Sequence, residues 1–511
     1  MSRIIDKGWH NWAGNQKSSP TEIFRPKNLQ DIKKIIELAK KNQKKIRCSG
    51  AGHTWSSLSV TNDYLVLDEH LNKIDINYNE NLNTWTVTTE PGVYLIDLDN
   101  ALSEHQPPLT LNSATVLDTV TAGGVVATGC HGARCNNATI SDKVISIQIV
   151  TSSDGELHEF SDEIDPEEMS AARINLGLLG IIYKLTFEVE PMFNLEMIDT
   201  TPDIAADWNA SNVKKLFTDS DSLEIFYWPF NTPELKGDND KIWIKQYNRT
   251  QKPVEKSEHK LKFERILQSL SISFGNHLYD FMAKVPTSTP FLTHLLFDAG
   301  VNHNSSVVLQ APDAIHYQAG IDNIPCLDLE FSFKVDQDFS NVIEEVNYIV
   351  KRIYEETDRK NFPVNLAAEL RINKSSRCLL ATSYDKDPNV NFVMLEILAV
   401  NGTKGFQEFS IELAKRWMRK YDAQPHWAKL WEYVPDITPH IRRCLSVDDR
   451  LNRFEKVRAK YDPGEYFFDN KNLREIFGKK QKKNHGRLLL DRIKNPGFPK
   501  QIRFLFNRNI E

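Results

Sequence analysis

Four short segments of this chain hold residue types that could do chemistry together. The first is Arg47-Cys48-Ser49-Gly50-Ala51-Gly52-His53-Thr54-Trp55. Its glycines and small residues let backbone approach a ligand closely, and consecutive amide N–H groups in such a turn form an anion-binding concavity. His53 ends the turn and has no evident packing role. The second is the small-residue run Thr121-Ala122-Gly123-Gly124-Val125-Val126-Ala127-Thr128-Gly129-Cys130-His131-Gly132. One glycine loop alone says little. Two of them, each ending near a histidine in the first third of the chain, point to a large cofactor with a pyrophosphate. Neither fits G-x-G-x-x-G with a helix directly after it, which argues against a dinucleotide fold of the NAD type. The third segment is Ala368-Glu369-Leu370-Arg371, where strand geometry puts Glu369 and Arg371 on one face. Such a pair is an ion pair in most proteins; in a closed site it could also orient a polyol and stabilise negative charge. The fourth is Pro425-His426-Trp427-Ala428-Lys429, with Trp427 read as core.

The elements that must position these segments are legible from periodicity. Pro26 to Asn42 reads as an amphipathic helix with Asn28 as N-cap, and the first glycine segment then leaves a short strand. Strands are expected over Tyr64–Asp68, Thr84–Thr89, Lys143–Ser152 and Ile181–Val189, with a hairpin at Asp154-Gly155 and a helix over Val93–His105. After Pro191 the character shifts to aromatic-rich strands over Asp221–Phe230 and Lys241–Tyr247. Further strands are expected over Leu327–Lys334 and Asn365–Ile372. Helices are expected over Phe263–Val285, Val342–Thr357, Phe406–Tyr421 and Asp448–Tyr461. The fold class is α+β.

At 511 residues the chain has room for two or three domains. A net charge of −6 gives no reason to expect nucleic-acid binding. No apolar leader or membrane-length run is present, so the expected compartment is the cytoplasm. The six cysteines form no C-x-x-C pair, which argues against a disulfide framework or a zinc site. Cys130 and Cys135 flank His131, but a fourth ligand is not in view and no metal is expected. The segment 479–511 is a basic tail with apolar patches, read as a surface tail with weak membrane contact as the sharper alternative.

On these residues the chain resembles FAD-linked oxidoreductases of the vanillyl-alcohol oxidase superfamily. In that family the first loop cradles the FAD pyrophosphate, and its histidine often carries the flavin covalently through the 8α-methyl carbon; His53 holds that place. Thr54 stands where serine is usual and keeps the hydroxyl. Thr121 to Gly132 resembles the second FAD segment, although Ala133-Arg134-Cys135-Asn136-Asn137 replaces the glycines that often follow. Ile174 to Ile182 resembles the turn whose next strand lies on the flavin. Asn112-Ser113-Ala114-Thr115 resembles the segment beside the isoalloxazine, where Ala114 leaves the electron acceptor open. Glu-x-Arg with His-Trp-x-Lys, and Phe226-Tyr227-Trp228-Pro229, resemble the sugar-1,4-lactone oxidase and alditol oxidase branch.

The resemblance implies a PCMH-type FAD-binding domain over 1–192 and a substrate cap over 193–425. It also implies a segment over 426–478 that closes the site, and then the tail. It implies FAD contacts from Cys48, Ser49, Gly50, Ala51, Gly52, His53, Thr54, Ser113, Ala114, Thr115, Thr121, Ala122, Gly123, Gly124, Thr128, His131, Gly132 and Ile181. Catalysis would rest on four residues. Arg371 and Lys429 would fix the substrate hydroxyl oxygen and favour reduced flavin, and Glu369 would hold substrate hydroxyls and orient Arg371. His426 would accept a proton or support Lys429. The reaction implied is oxidation of a CH–OH group of a gulono-, galactono- or arabinono-type 1,4-lactone by hydride transfer to flavin N5, with O₂ reduced to hydrogen peroxide. Alternatives are an alditol or oligosaccharide oxidase, a lactone dehydrogenase with another acceptor, and a non-catalytic flavin- or sugar-binding protein.

Overall fold

The computed structural model describes residues 4–5, 8–232, 234, 237–256, 277–301, 304–317 and 324–478. The tail over 479–511 lies outside these residues, as does most of the helix expected over Phe263–Val285, which is helical over 277–284.

Near the N-terminus β1 (Ile4–Ile5), β2 (Gly8–His10) and β3 (Lys17–Ser18) form a small antiparallel sheet. A parallel sheet follows, ordered β4 (Glu22–Phe24), β6 (Tyr64–Leu67), β5 (Ile46–Ser49). The helix Leu29–Asn42 joins β4 to β5. Asn28 caps it, its side chain accepting the Asp31 amide at 3.1 Å. Ile32, Ile35, Ile36 and Ala39 recur at helical spacing and pack onto Ile46, Tyr64 and Val66. That packing fixes the exit of β5, so the glycine loop leaves a buried strand at Ser49.

The next sheet is antiparallel and contains β7 (Ile74–Asn79), β8 (Thr84–Thr89), β9 (Leu109–Leu111), β10 (Val144–Val150), β11 (Leu157–Ser161) and β12 (Ile181–Pro191). Its order is β11-β10-β12-β8-β7, with β9 also on β12. Gly155 takes a φ of +83° in the hairpin between β10 and β11. The small-residue run differs from its reading as a loop: Ala122–Thr128 is helical, closed by Gly129 at φ +71°. Glycine disfavours helix, but here close packing decides, since a Cβ on Gly123 would lie 2.6 Å from the Pro91 side chain.

The chain leaves this sheet at Pro191 and enters an eight-stranded antiparallel sheet at Asn194. Its strands are β13 (Asn194–Thr200), β14 (Ser222–Tyr227), β15 (Trp243–Thr250), β16 (Ser305–Gln310), β17 (Cys326–Lys334), β18 (Ala368–Lys374), β19 (Asn391–Val400) and β20 (Gln424–Pro425). The order is β16-β13-β15-β14-β18-β19-β17-β20. Four of these, β13, β16, β19 and β20, were not foreseen from the sequence. Helices Ser340–Asp358 and Phe406–Tyr421 bury their apolar stripes in the same core. The last described segment returns to the start of the chain. The Ile46 amide donates to the Tyr466 carbonyl at 2.8 Å, and the Arg47 guanidinium donates to the Phe467 carbonyl at 2.9 Å.

Candidate active site

A cavity of about 300 Å³ runs between the glycine loop, the Ala122–Thr128 helix, the start of β12 and one face of the eight-stranded sheet. Cys48, Ser49, Gly50, Ala51, Gly52, His53, Thr54, Thr115, Thr121, Gly123, Gly124, Thr128, His131 and Ile181 line it. So do Glu369, Arg371, His426 and Lys429. Residues up to 380 positions apart are therefore brought to one wall as the sequence reading expects. Four expected contacts stand behind the wall instead. Ala122 is in the core, Ser113 and Ala114 line a separate cavity of about 30 Å³, and Gly132 packs on them. A Cβ on Gly132 would meet the Ala114 carbonyl at 2.4 Å.

The first end of the cavity is built for close approach of backbone. A Cβ at Gly50 would lie 2.0 Å from the Thr121 hydroxyl. Among the described residues that hydroxyl is buried without a partner, and so is His53 Nδ1. Trp12 stacks on the His53 ring at 4.9 Å. Burial holds the His53 pKa down at about 4, so the imidazole is neutral near pH 7 with a free lone pair. Arg47 organises the far side: its guanidinium donates to the carbonyls of Leu58, Leu176 and Phe467, tying the third glycine turn to the loop.

The other end is a row of charge set by strand register. Across neighbouring strands Asp199 faces Lys245, Lys245 faces Glu224 and Glu224 faces Arg371. Farther along, Glu369 faces Glu396 and Glu396 faces Glu330. Like charges directly opposite repel. Two cations offset that repulsion. Arg371 pairs with Glu369 and, at 3.3 Å, with Glu224. Lys429 contacts Asp328, and Glu396 at 2.5 Å, with its ammonium over the Trp55 ring at 4.9 Å. Burial lowers the charged form of Lys429, but Asp328, Glu396 and Glu330 outweigh it and hold its pKa well above the usual range. Burial, together with the Glu396 and Glu224 charges, pushes Glu369 well above the carboxylate range despite Arg371. Asp328 is raised by burial and by Glu396. Glu330 falls below the ordinary range against burial, held by His131, His426 and Lys429.

His131 Nε2 meets Glu330 Oε1 at 2.9 Å, and the two histidine rings meet edge to face at 5.8 Å. One potential ligand atom from each of His131, Glu330 and His426 lies within 4.8 Å of the others, a cluster the sequence did not reveal. The Ala428 amide donates to His426 Nδ1 at 3.2 Å. In a neutral ring that bond places the proton on the other nitrogen. Trp427 is core, as read, with its indole N–H on the Leu380 carbonyl at 2.7 Å. Asp328, Glu330 and Glu396 were missed in the sequence. Their signal was present as acidic residues at alternate positions of CLDLEFSFK and one Glu inside NFVMLEILAV, where an apolar strand does not bury a charge without a partner.

Comparison with known proteins agrees with this geometry. Residues 20–161 match the family model described as "FAD binding domain". Residues 185–476 match that of "D-arabinono-1,4-lactone oxidase". The chain belongs to the D-arabinono-1,4-lactone oxidase family. It is an FAD-dependent oxidoreductase of the aldonolactone oxidase or dehydrogenase kind. Among its relatives, L-gulonolactone oxidase of Scyliorhinus torazame is 23% identical, over 90% of this chain and 96% of that one. L-gulono-1,4-lactone dehydrogenase of Mycobacterium tuberculosis is 22% identical over 92% and 99%. D-arabinono-1,4-lactone oxidase of Saccharomyces cerevisiae is 24% identical over 92% and 96%. In fold, this lactone oxidase family member is similar to the crystal structure of cholesterol oxidase from B. sterolicum. The TM-score is 0.74 at 18% identity, over 92% of this chain and 96% of that one. The unpartnered Thr121 hydroxyl and His53 nitrogen, and the glycines with no space for a Cβ, fit an FAD laid along the first end of the cavity. Among the described residues no helix is long and apolar enough to cross a membrane.

Proposed function

We propose that the protein oxidises a CH–OH group of a sugar-1,4-lactone of the gulono, galactono or arabinono type, with dioxygen reduced to hydrogen peroxide. The observation that carries this is the single cavity shared by the His53 loop and the Glu369–Arg371–Lys429 set. When bound, FAD supplies the two-electron acceptor for the carbon-bound hydrogen. The protein supplies position and charge.

Lys429 and Arg371 stay charged through the reaction, because the carboxylates around each hold its proton. Their role is to fix the reacting oxygen and to stabilise negative charge as it develops. Glu369 holds substrate hydroxyls and orients Arg371, to which it is paired. Burial raises both Glu369 and Asp328 on this wall, whereas Glu330 and Glu396 are shifted down. His426 accepts a proton or supports Lys429 from its place beside Glu330 and His131. His53 carries the flavin. The proposed division is FAD-binding over 1–192, substrate cap over 193–425 and closing segment over 426–478, with FAD contacts from the cavity-lining residues named above.

The test is anaerobic mixing of the holoprotein with a panel of 1,4-lactones and alditols. Bleaching of the flavin by lactones supports the reading, and bleaching by alditols alone replaces it. One relative is named as a dehydrogenase and two as oxidases, so reoxidation by O₂ is followed against an artificial acceptor in the same experiment.

A further inference from the structure

Tyr317 also lines the acidic end of the cavity, and no motif singles it out. Its hydroxyl is buried and has no hydrogen-bond partner among the described residues. The rest of the residue is held from several sides. The Lys245 ammonium lies 4.1 Å from the ring centroid, and Lys245 is pinned in turn by Asp199 at 2.7 Å. Trp243 meets the ring edge-on at 6.5 Å. The preceding residue, His316, donates from one nitrogen to Asp99 at 2.9 Å and from the other to the Val116 carbonyl at 3.0 Å. A side chain fixed this way with its polar atom left open is preorganised for a ligand.

The neighbouring groups define what the ligand atom must be. Glu369, Glu396 and Asp328 line the same wall, where they would meet substrate hydroxyls. The wall's cations are held by carboxylates, Arg371 by Glu224 and Glu369, and Lys429 by Asp328 and Glu396, and under the proposed function their remaining N–H groups fix the reacting oxygen. A neutral phenol beside them offers a hydrogen to an acceptor that is not itself a donor. In a sugar lactone that atom is the carbonyl oxygen, which an alditol lacks.

We propose that the Tyr317 hydroxyl donates to the lactone carbonyl and so selects lactones over reduced sugars at this site. The inference rests on the lactone reading above and deepens it. Binding is read from the flavin absorbance of the holoprotein with a 1,4-lactone and with the matching 1,4-anhydroalditol. These share ring and hydroxyls and differ at the carbonyl. The wild-type protein prefers the lactone by roughly 10- to 100-fold, and Tyr317→Phe, which keeps the ring on Lys245, brings that ratio close to one. The lactone concentration at half-maximal flavin reduction rises by the same factor, with the limiting rate little changed. An unchanged ratio in Tyr317→Phe overturns the proposal, and so does an equal loss for both ligands, which marks packing alone. A wild-type flavin that no lactone bleaches overturns the parent reading instead, and this inference with it.

Discussion

His53 and Lys429 illustrate opposite uses of burial. At His53 burial removes the charge and leaves a nitrogen free to bond carbon. The expected result is that the wild-type protein keeps its yellow colour in the pellet after acid precipitation. His53→Ala should bind FAD yet release it to the supernatant. Colour in the wild-type supernatant would end the covalent reading and leave the fold intact. At Lys429 burial keeps the charge, because carboxylates surround it. Lys429→Met leaves the Glu396 carboxylate buried without its cation and should cost about 3–5 kcal/mol of stability by chemical denaturation. Lactone-driven flavin reduction should fall by at least roughly 100-fold in the folded variant. Reduction at the wild-type rate would remove Lys429 from the reacting end.

Strands and loops carry the next level. Asp328 is raised above its unfolded value, so the folded state binds a proton that the unfolded state has released. Its contribution to stability is full below the ordinary carboxylate range and is lost as pH rises toward the raised value. Asp328→Asn should flatten this loss in a pH series of denaturation midpoints, with Lys429 still paired to Glu396. A steeper slope would show that Asp328 is ionised at neutral pH. In the glycine loop, Gly50→Ala sets a methyl 2.0 Å from the Thr121 hydroxyl and should lower the flavin-to-protein ratio measured by absorbance. Gly155→Ala has open space but a φ of +83°, so it should cost about 1 kcal/mol and leave flavin content alone.

These elements also show which parts of the chain were readable in advance. The helix Phe406–Tyr421 matches its expected bounds because a single buried face imposes a clean period, and β18 falls within a few residues of its expected bounds. β19 escaped because both its faces are buried, so its run of apolar residues shows no alternation. Ala122–Thr128 escaped because glycine signals a turn when neighbours are unknown. His53, Glu369, Arg371 and Lys429 were readable from local motifs. Glu396, Glu330 and Tyr317 were not, since only cross-strand register and the fold bring them to the site.

At the scale of the whole molecule, His316 and Asp99 clamp the eight-stranded sheet region to the helix Leu95–Glu104. Burial opposes the charge on His316, but the Asp99 hydrogen bond and charge outweigh it and raise the pKa. A raised histidine contributes stability that is full below its unfolded value and is lost as pH rises through the folded one. Asp99→Asn should therefore cost about 3 kcal/mol near pH 6 and less near pH 9, measured by denaturation. A loss that does not vary across that range would mean the clamp is not ionic.

The glycine loop is bound to residues far along the chain. The Trp55 amide donates to the Ala428 carbonyl at 2.7 Å, Ser56 donates to the Trp427 carbonyl, and Asn470 donates to the Ser57 carbonyl. Such contacts close loops of several hundred residues and form late in folding. Cofactor capture is thereby timed: a ribosome-bound chain that has not yet released residues 427–470 has the motif for FAD but not the pocket.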